Sequence, residues 1–295
     1  MTGRRMAFSI GLTVAFVLVE TAAGFFSHSL ALLSDAGHNF ADALALLLAW
    51  YALGAARRPA NASRTFGYHR VGILAALANA ITLVVIALLI FWEAFQRLRA
   101  PAPVQSGLMI GVALAALLMN TVISLWLRGE AKHDLNVRSA YLHMVGDALS
   151  SLGVVAAGVM IAITGSTIAD PAVSLMIGAL ILWSSGGILT EAITVLLEAA
   201  PSSLDMAALE EEIQSVSGVL DVHDLHVWSV ATGIVACSCH ILVAEQSVRS
   251  GQQVLRAVAE LLEHRFGITH TTVQVEVEGC EPNDMYCTMR HAHHG

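Results

Sequence analysis

Charge is scarce in this sequence. Asp, Glu, Lys and Arg make up 13% of 295 residues, against roughly 25% in an ordinary soluble domain, and the mean hydropathy is +0.68. That excludes a water-soluble globule of this length. The shortage is local: almost all long apolar runs precede Ala200, and the last third reads like a soluble domain, which sets a boundary near Pro201. Cysteine is absent before Cys237, and all four cysteines (Cys237, Cys239, Cys280 and Cys287) fall in that last third. No polybasic tract occurs. The net charge is −8, with acids gathered in the tail at Glu210, Glu211, Glu212, Glu260, Glu263, Glu276, Glu278 and Glu281, so a nucleic-acid partner is excluded. An acidic, His-rich tail suits cations.

The apolar runs are long enough to cross a bilayer. A hydrocarbon core of about 30 Å takes roughly 20 apolar residues as a helix, and six segments qualify: Met6–Phe26, Leu30–Ala55, Val71–Trp92, Leu108–Leu127, Ala140–Ile163 and Pro171–Leu189. The first follows Arg4 and Arg5 like a signal peptide. It is long, however, contains Glu20 and lacks a small-residue cleavage site, so it reads as a retained span. Basic residues then orient the chain. Arg4, Arg5, Arg57, Arg58, Arg64, Arg70, Arg128, Lys132 and Arg138 fall on one side, and only Arg97 and Arg99 on the other. By the positive-inside bias both termini are cytoplasmic, and the tail cysteines are reduced thiols rather than disulfides.

The tail alternates helix and strand signals. Leu204–Val216 and Ser247–Phe266 have helical spacing; Val219–Val230, Ile234–Val243 and Thr271–Val277 read as strands. The order αββαβ predicts a ferredoxin-like α+β domain, a small antiparallel sheet with helices on one face. The whole is thus an α-helical membrane protein with six transmembrane helices (1–200), a cytoplasmic α+β domain (201–280), and a Cys/His-containing tail (281–295).

Ionisable residues inside membrane spans are costly and mark function. Span two reads His38-Asn39-Phe40-Ala41-Asp42-Ala43-Leu44, and span five reads His143-Met144-Val145-Gly146-Asp147-Ala148-Leu149. Each is H-x-x-x-D-A-L. Residues i and i+4 share one helix face, so two such helices facing each other offer two imidazoles and two carboxylates, a full tetrahedral shell for a zinc-like ion. A single His-x-x-x-Asp pair is most simply packing glue; two copies with matching flanks point to metal. The donor set suits Zn²⁺, Cd²⁺, Co²⁺ and Ni²⁺. Asp35 shares the face of Asp42 and fits either a carboxylate at the mouth of the site or a helix cap after Ser34.

Four stretches carry a resemblance to a known family: Ser29-Leu30-Ala31-Leu32-Leu33-Ser34-Asp35-Ala36-Gly37-His38, the loop Thr65-Phe66-Gly67-Tyr68-His69-Arg70, Asp134-Leu135-Asn136-Val137-Arg138 leading into His143, and Val222-His223-Asp224-Leu225-His226-Val227-Trp228. Together they resemble the cation diffusion facilitators, in the zinc/cobalt/cadmium resistance branch, over essentially the whole chain. The resemblance implies a homodimeric exporter of cytoplasmic zinc driven by inward proton flow, with His38, Asp42, His143 and Asp147 as the transport site. It implies a transporter and not an enzyme, with zinc as cargo and as a regulatory ligand of the tail. His223, His240 and either Glu276 or Glu278 match that regulatory site, and Cys280 and Cys287 are candidates to add thiolates; surface His and free thiols are the plain alternative. The short loop between spans four and five, with His133 alone, suits a bacterial inner-membrane protein.

Departures and rivals complete the reading. Where some relatives build a further metal site in the loop between spans two and three, this chain has Asn61, Arg64 and Tyr68, so none is expected there. Asn120 fits either a path-lining residue or a helix–helix hydrogen bond, and Glu20 either a proton relay or a partner for a nearby donor. Cys237 and Cys239 lie two apart on a strand and share a face, as a buried apolar pair would. An intramembrane zinc hydrolase lacks its His-Glu-x-x-His signature and an open coordination position. A membrane-anchored metal sensor using the tail remains the alternative function, although an anchor has no need of paired intramembrane motifs.

Overall fold

The computed structural model describes residues 3–132 and 135–278; Cys280, Cys287 and His133 lie outside them. The chain forms two compact units, one of residues up to 53 with 75–189, the other of 54–74 with residues from 190 onward.

Six long helices appear in order: α1 (Gly3–Ser27), α2 (Leu30–Ala56), α3 (Val71–Arg99), α4 (Ser106–Leu127), α5 (Leu135–Thr164) and α6 (Ala169–Leu196). Among the described residues, α2 to α6 are long and apolar enough to cross a membrane, and α1 contributes a shorter apolar stretch, Thr13–Ser27. Small residues let the helices approach, as membrane packing requires: Ala23, Ala31, Ala41, Ala87, Ala113 and Ala157 are buried in the shared core with Leu32, Leu83, Met109, Val154 and Ile181. Large apolar side chains such as Leu118, Ile163 and Trp183 point outward, where lipid covers them. At Gly158 a Cβ would meet Ile110 Cγ1 at 2.6 Å, so glycine permits the close α4–α5 contact.

The turn between α1 and α2 is held from a distance. His28 has a positive φ of 54°, and Ser29 is the N-terminal cap of α2, its Oγ accepting from Leu32 N at 3.1 Å. Ser29 Oγ also donates to Asp170 Oδ1 at 2.7 Å. The fully buried Asp170 carboxylate, at the start of α6, further accepts from Leu30 N (2.8 Å) and Ala31 N (3.0 Å). A carboxylate in this place meets the orphan N–H groups and the positive end of the α2 dipole. Arg97 of α3 completes the knot, 3.4 Å from Asp170 Oδ2 and also bonded to Glu93 and the His28 carbonyl.

Asp35 does not cap a helix. It lies inside α2, buried, and accepts from Ser150 Oγ (2.7 Å) and Ser151 Oγ (3.3 Å) of α5.

The tail domain follows the expected order with one correction. Helix α7 (Met206–Gln214) starts at Asp205, whose side chain caps Ala207 N and Ala208 N; strands β1 (Val219–Ala231) and β2 (Ile234–Val243) form an antiparallel hairpin; α8 (Val248–Phe266) leads to β3 (His270–Glu276). The sheet order is β1-β2-β3, and β3 runs parallel to β2, so the sheet is mixed and not antiparallel. The physical reason is α8: a long crossover helix returns the chain to the end from which β2 started, which is how parallel neighbours are joined. One face packs Cys237, Cys239, Ile241 and Val243 against Leu209 and Ile213 of α7 and Val254, Val258 and Leu262 of α8.

Replacing Asp170 by Ala would strand two backbone N–H groups and leave Arg97 without its buried partner. The expected loss is about 3 kcal/mol, read as a lower thermal midpoint in detergent; an unchanged midpoint would show that the distant cap contributes nothing.

Candidate metal centre

The two H-x-x-x-D motifs meet inside the helical unit. The first unfolds along α2 and the second along α5, and the partners step in opposite directions: Asp35 with Ser150, His38 with Asp147, Asp42 with His143. The helices are therefore antiparallel at this point, and each histidine faces the aspartate of the other motif. His38 Nε2 lies 3.5 Å from Asp147 Oδ1 and 3.6 Å from Asp42 Oδ2. His143 Nε2 lies 3.3 Å from Asp42 Oδ2 and 3.6 Å from Asp147 Oδ2. The imidazole centroids are 6.0 Å apart.

One donor atom from each of the four residues lies within 4.8 Å of all the others. Zinc bonds of 2.0–2.2 Å in a tetrahedron set ligand–ligand edges of about 3.3–3.6 Å, and the four N···O separations, which reach both oxygens of Asp147, fall in this range. His38 Nδ1 and Asp42 Oδ2 are buried without a hydrogen-bond partner among the described residues. Two carboxylates also cancel a divalent charge, which lowers the penalty of holding it away from water.

A cavity of about 490 Å³ reaches this square from one side. Asp42, His143 and Asp147 line it, and Ala45, Leu46 and Ala49 carry its wall along α2 toward the 56–71 connection. Asn120 lines the cavity too, with Met119 and Met144. Of the two readings of Asn120, the wall position is the one observed. Glu20 is fully buried and accepts from Asn39 Nδ2 at 2.8 Å.

The tail domain brings a second set together. His223 on β1 and His240 on β2 are directly paired across the hairpin, and Glu276 ends β3. His223 Nε2 and His240 Nδ1 each lie 3.1 Å from a Glu276 carboxylate oxygen. The three donors lie within 4.8 Å of one another. Between the two expected alternatives, Glu276 joins the group, while Glu278 is exposed beyond β3 and outside it. Cys280 and Cys287 fall outside the described residues.

Asp224 was not singled out in the sequence. It sits in a bulge of β1 with φ 51°, its carboxylate 3.0 Å from His226 Nε2 and 3.6 Å from His240 Nε2. The irregularity between His223 and His226 resets the alternation, so Leu225 and Val227 stay in the core. The bare signal for it was an Asp between two histidines in a β-branched run.

In the loop before α3, Tyr68 Oη accepts from Asn61 Nδ2 (3.0 Å) and Arg64 Nη1 (3.5 Å). These bonds, Asn61 first, hold the phenol below its usual range. Cys237 and Cys239 are both buried; the hydrogen bond to Cys239 and then burial push the Cys237 thiol up.

Comparison with known proteins agrees with this architecture. Residues 6–197 match the cation efflux transmembrane domain, and 201–278 match the cation efflux protein cytoplasmic domain. The zinc transporter ZitB of Escherichia coli is 41% identical over 99% of this chain and 94% of its own length. The cadmium, cobalt and zinc/H(+)-K(+) antiporter of Bacillus subtilis is 36% identical over 96% and 94%. The solved metal-bound C-terminal domain of the CzcD transporter of Cupriavidus metallidurans is 32% identical over 25% of this chain and 100% of that one, with a TM-score of 0.23. The chain belongs to the cation efflux family, the cation diffusion facilitators. It is an integral membrane protein that exports divalent metal cations.

In the native protein, Cys237 and Cys239 should resist a water-soluble maleimide at neutral pH and label only after denaturation. Rapid native-state labelling at either residue, read by peptide mass spectrometry, would contradict their burial.

Proposed function

We propose that this chain exports Zn²⁺ from the cytoplasm in exchange for protons, with His38, Asp42, His143 and Asp147 as its transport site. One observation carries the reading: reciprocal His–Asp pairing on antiparallel helices at the inner end of an intramembrane cavity. The donor set supports the ion class, and the names of the relatives support the cargo, a zinc transporter in Escherichia coli and a cadmium, cobalt and zinc antiporter in Bacillus subtilis. A membrane-anchored sensor is not favoured, since these relatives match along the whole chain and are named as transporters.

The Lys and Arg asymmetry supports a cytoplasmic 56–71 connection, with the protein held in a bacterial inner membrane. The cavity then opens inward, and this is the ion-receiving state. Imidazole binds metal only when unprotonated and titrates near neutrality. The square therefore holds a divalent cation or protons, and a helix rearrangement that exposes it alternately to each side couples the two gradients. The cytoplasmic domain pairs two copies of the chain, and His223, His240 and Glu276 hold a regulatory zinc.

Flux into proteoliposomes should be greatest for Zn²⁺ among Zn²⁺, Cd²⁺, Co²⁺ and Ni²⁺ and should respond to an imposed pH gradient. Asp42→Ala and Asp147→Ala should each lower it by more than the roughly 10–100-fold that follows loss of an outer-shell partner at a metal site. Retained flux in both variants would sink the site assignment, and indifference to the gradient would sink the coupling. His240→Ala should leave flux at saturating zinc and shift its half-maximal concentration; an unshifted curve would remove the regulatory role of the triad.

A further inference from the structure

The connection between α2 and α3, residues 57–70, holds four arginines and no acid, in a chain whose net charge is −8. Arg70 is neutralised by Glu198 at 2.9 Å. Arg57, Arg58 and Arg64 are exposed, and no carboxylate pairs with them among the described residues. An acidic protein thus leaves three positive charges open within one short loop.

The loop has internal order that holds them in place. Asn61 Oδ1 accepts from Ser63 N, Ser63 Oγ and Arg64 N at 2.9–3.0 Å, and the Asn61 and Arg64 backbones bond each other in both directions at 3.1 Å. Two guanidinium groups then gather on one ring: Arg64 Cζ lies 4.9 Å and Arg58 Cζ 5.9 Å from the Tyr68 centroid. Like charges fixed near each other repel, and an anion that both can reach relieves that repulsion. Beside Arg64, within the same unit, a cavity of about 840 Å³ is lined on the loop side by Thr65 and Phe66. It has room for a polar headgroup.

The chain enters this loop from one membrane span and leaves it into another. Trp50 and Tyr51 stand exposed on α2 within two turns of the loop, and Trp126 is exposed in the last turn of α4, the end on the same side of the membrane. Exposed Trp and Tyr mark the headgroup level, and the arginines follow directly on it. Topological bias alone asks only for positive charge in the loop; it does not ask for two guanidinium groups on one ring beside a cavity.

We propose that the 57–70 connection binds the phosphate of an anionic glycerophospholipid, held by Arg58 and Arg64 with Arg57 beside them. The planar guanidinium matches two phosphate oxygens at once. A zwitterionic lipid carries its own cation next to the phosphate and offers these arginines little net charge. None of the four ligands of the square takes part, so the site stands whether or not the cargo is exchanged for protons.

The test is native mass spectrometry of the detergent-purified full-length protein, titrated with dioleoyl phosphatidylglycerol, dioleoyl phosphatidylcholine or inorganic phosphate. Native protein should bind phosphatidylglycerol roughly tenfold or more tightly than phosphatidylcholine. Arg58→Gln combined with Arg64→Gln should weaken phosphatidylglycerol binding by about 25-fold, about fivefold for each arginine, and leave phosphatidylcholine binding unchanged. Arg128→Gln, which removes an exposed arginine of the same side outside the loop, should change neither. Equal affinity for the two lipids in native protein, or an unchanged phosphatidylglycerol affinity in the folded double variant, overturns the proposal. A loss in Arg128→Gln as large as that for one loop arginine overturns it in favour of diffuse surface charge. Inorganic phosphate binding as tightly as the lipid overturns it in favour of a soluble anion. Should the double variant fail to fold, a phosphatidylglycerol with a photoreactive headgroup decides on native protein: crosslinks within residues 57–70 are expected, and crosslinks only elsewhere overturn the site.

Discussion

Hydrocarbon offers no hydrogen bonds, so an ionisable side chain within the bundle has to be met by another helix. The antiparallel contact of α2 with α5 meets that demand three times in succession, at Asp35, His38 and Asp42. Because both helices carry the same i, i+4 spacing, opposite directions place each imidazole against the other motif's carboxylate. The position of the cavity follows from this one register. Asp170 extends the same logic to the helix ends, where one buried carboxylate meets the free N–H groups of a helix that begins 140 residues earlier in the chain.

The elements that local chemistry specifies were readable in the sequence. The six helices announce themselves by apolar length, and the tail strands by β-branched runs broken at Thr232-Gly233. The four-residue square could be anticipated because both of its halves are local repeats. What could not be read depends on partners far away. Ser29 and Asp170 are unremarkable singly, and their bond exists only once α6 lies beside α2. For the same reason Asp35 fitted either a carboxylate at the mouth of the site or a cap after Ser34, when its partners are Ser150 and Ser151 on a helix 115 residues on. The direction of β3 was missed because strand pattern specifies which residues face inward and says nothing of which way the strand runs; the crossover by α8 decides that.

In the tail the central strand β2 serves two purposes through the alternation of its side chains. Cys237, Cys239 and Ile241 enter the core, and His240 between them turns to the opposite face, beside His223 and Glu276. The bulge at Asp224 keeps both functions in register on β1. A slip of one residue there would carry the histidines into the core and the leucine out of it.

The square of His38, Asp42, His143 and Asp147 has a twofold relation of its own. A half-turn about an axis in the membrane plane exchanges His38 with His143 and Asp42 with Asp147. As the proposed transport site, the square would offer an ion one imidazole and one carboxylate toward either face of the membrane, so the ligands themselves would set no preferred direction. Direction is left to what differs between the two halves, Met119, Asn120 and Met144 toward one side and Glu20 and Asp35 toward the other, and to the gradients outside. Under the proposed exchange, such a seat would be reversible by construction, and a carrier built on it would travel whichever way the two gradients together push.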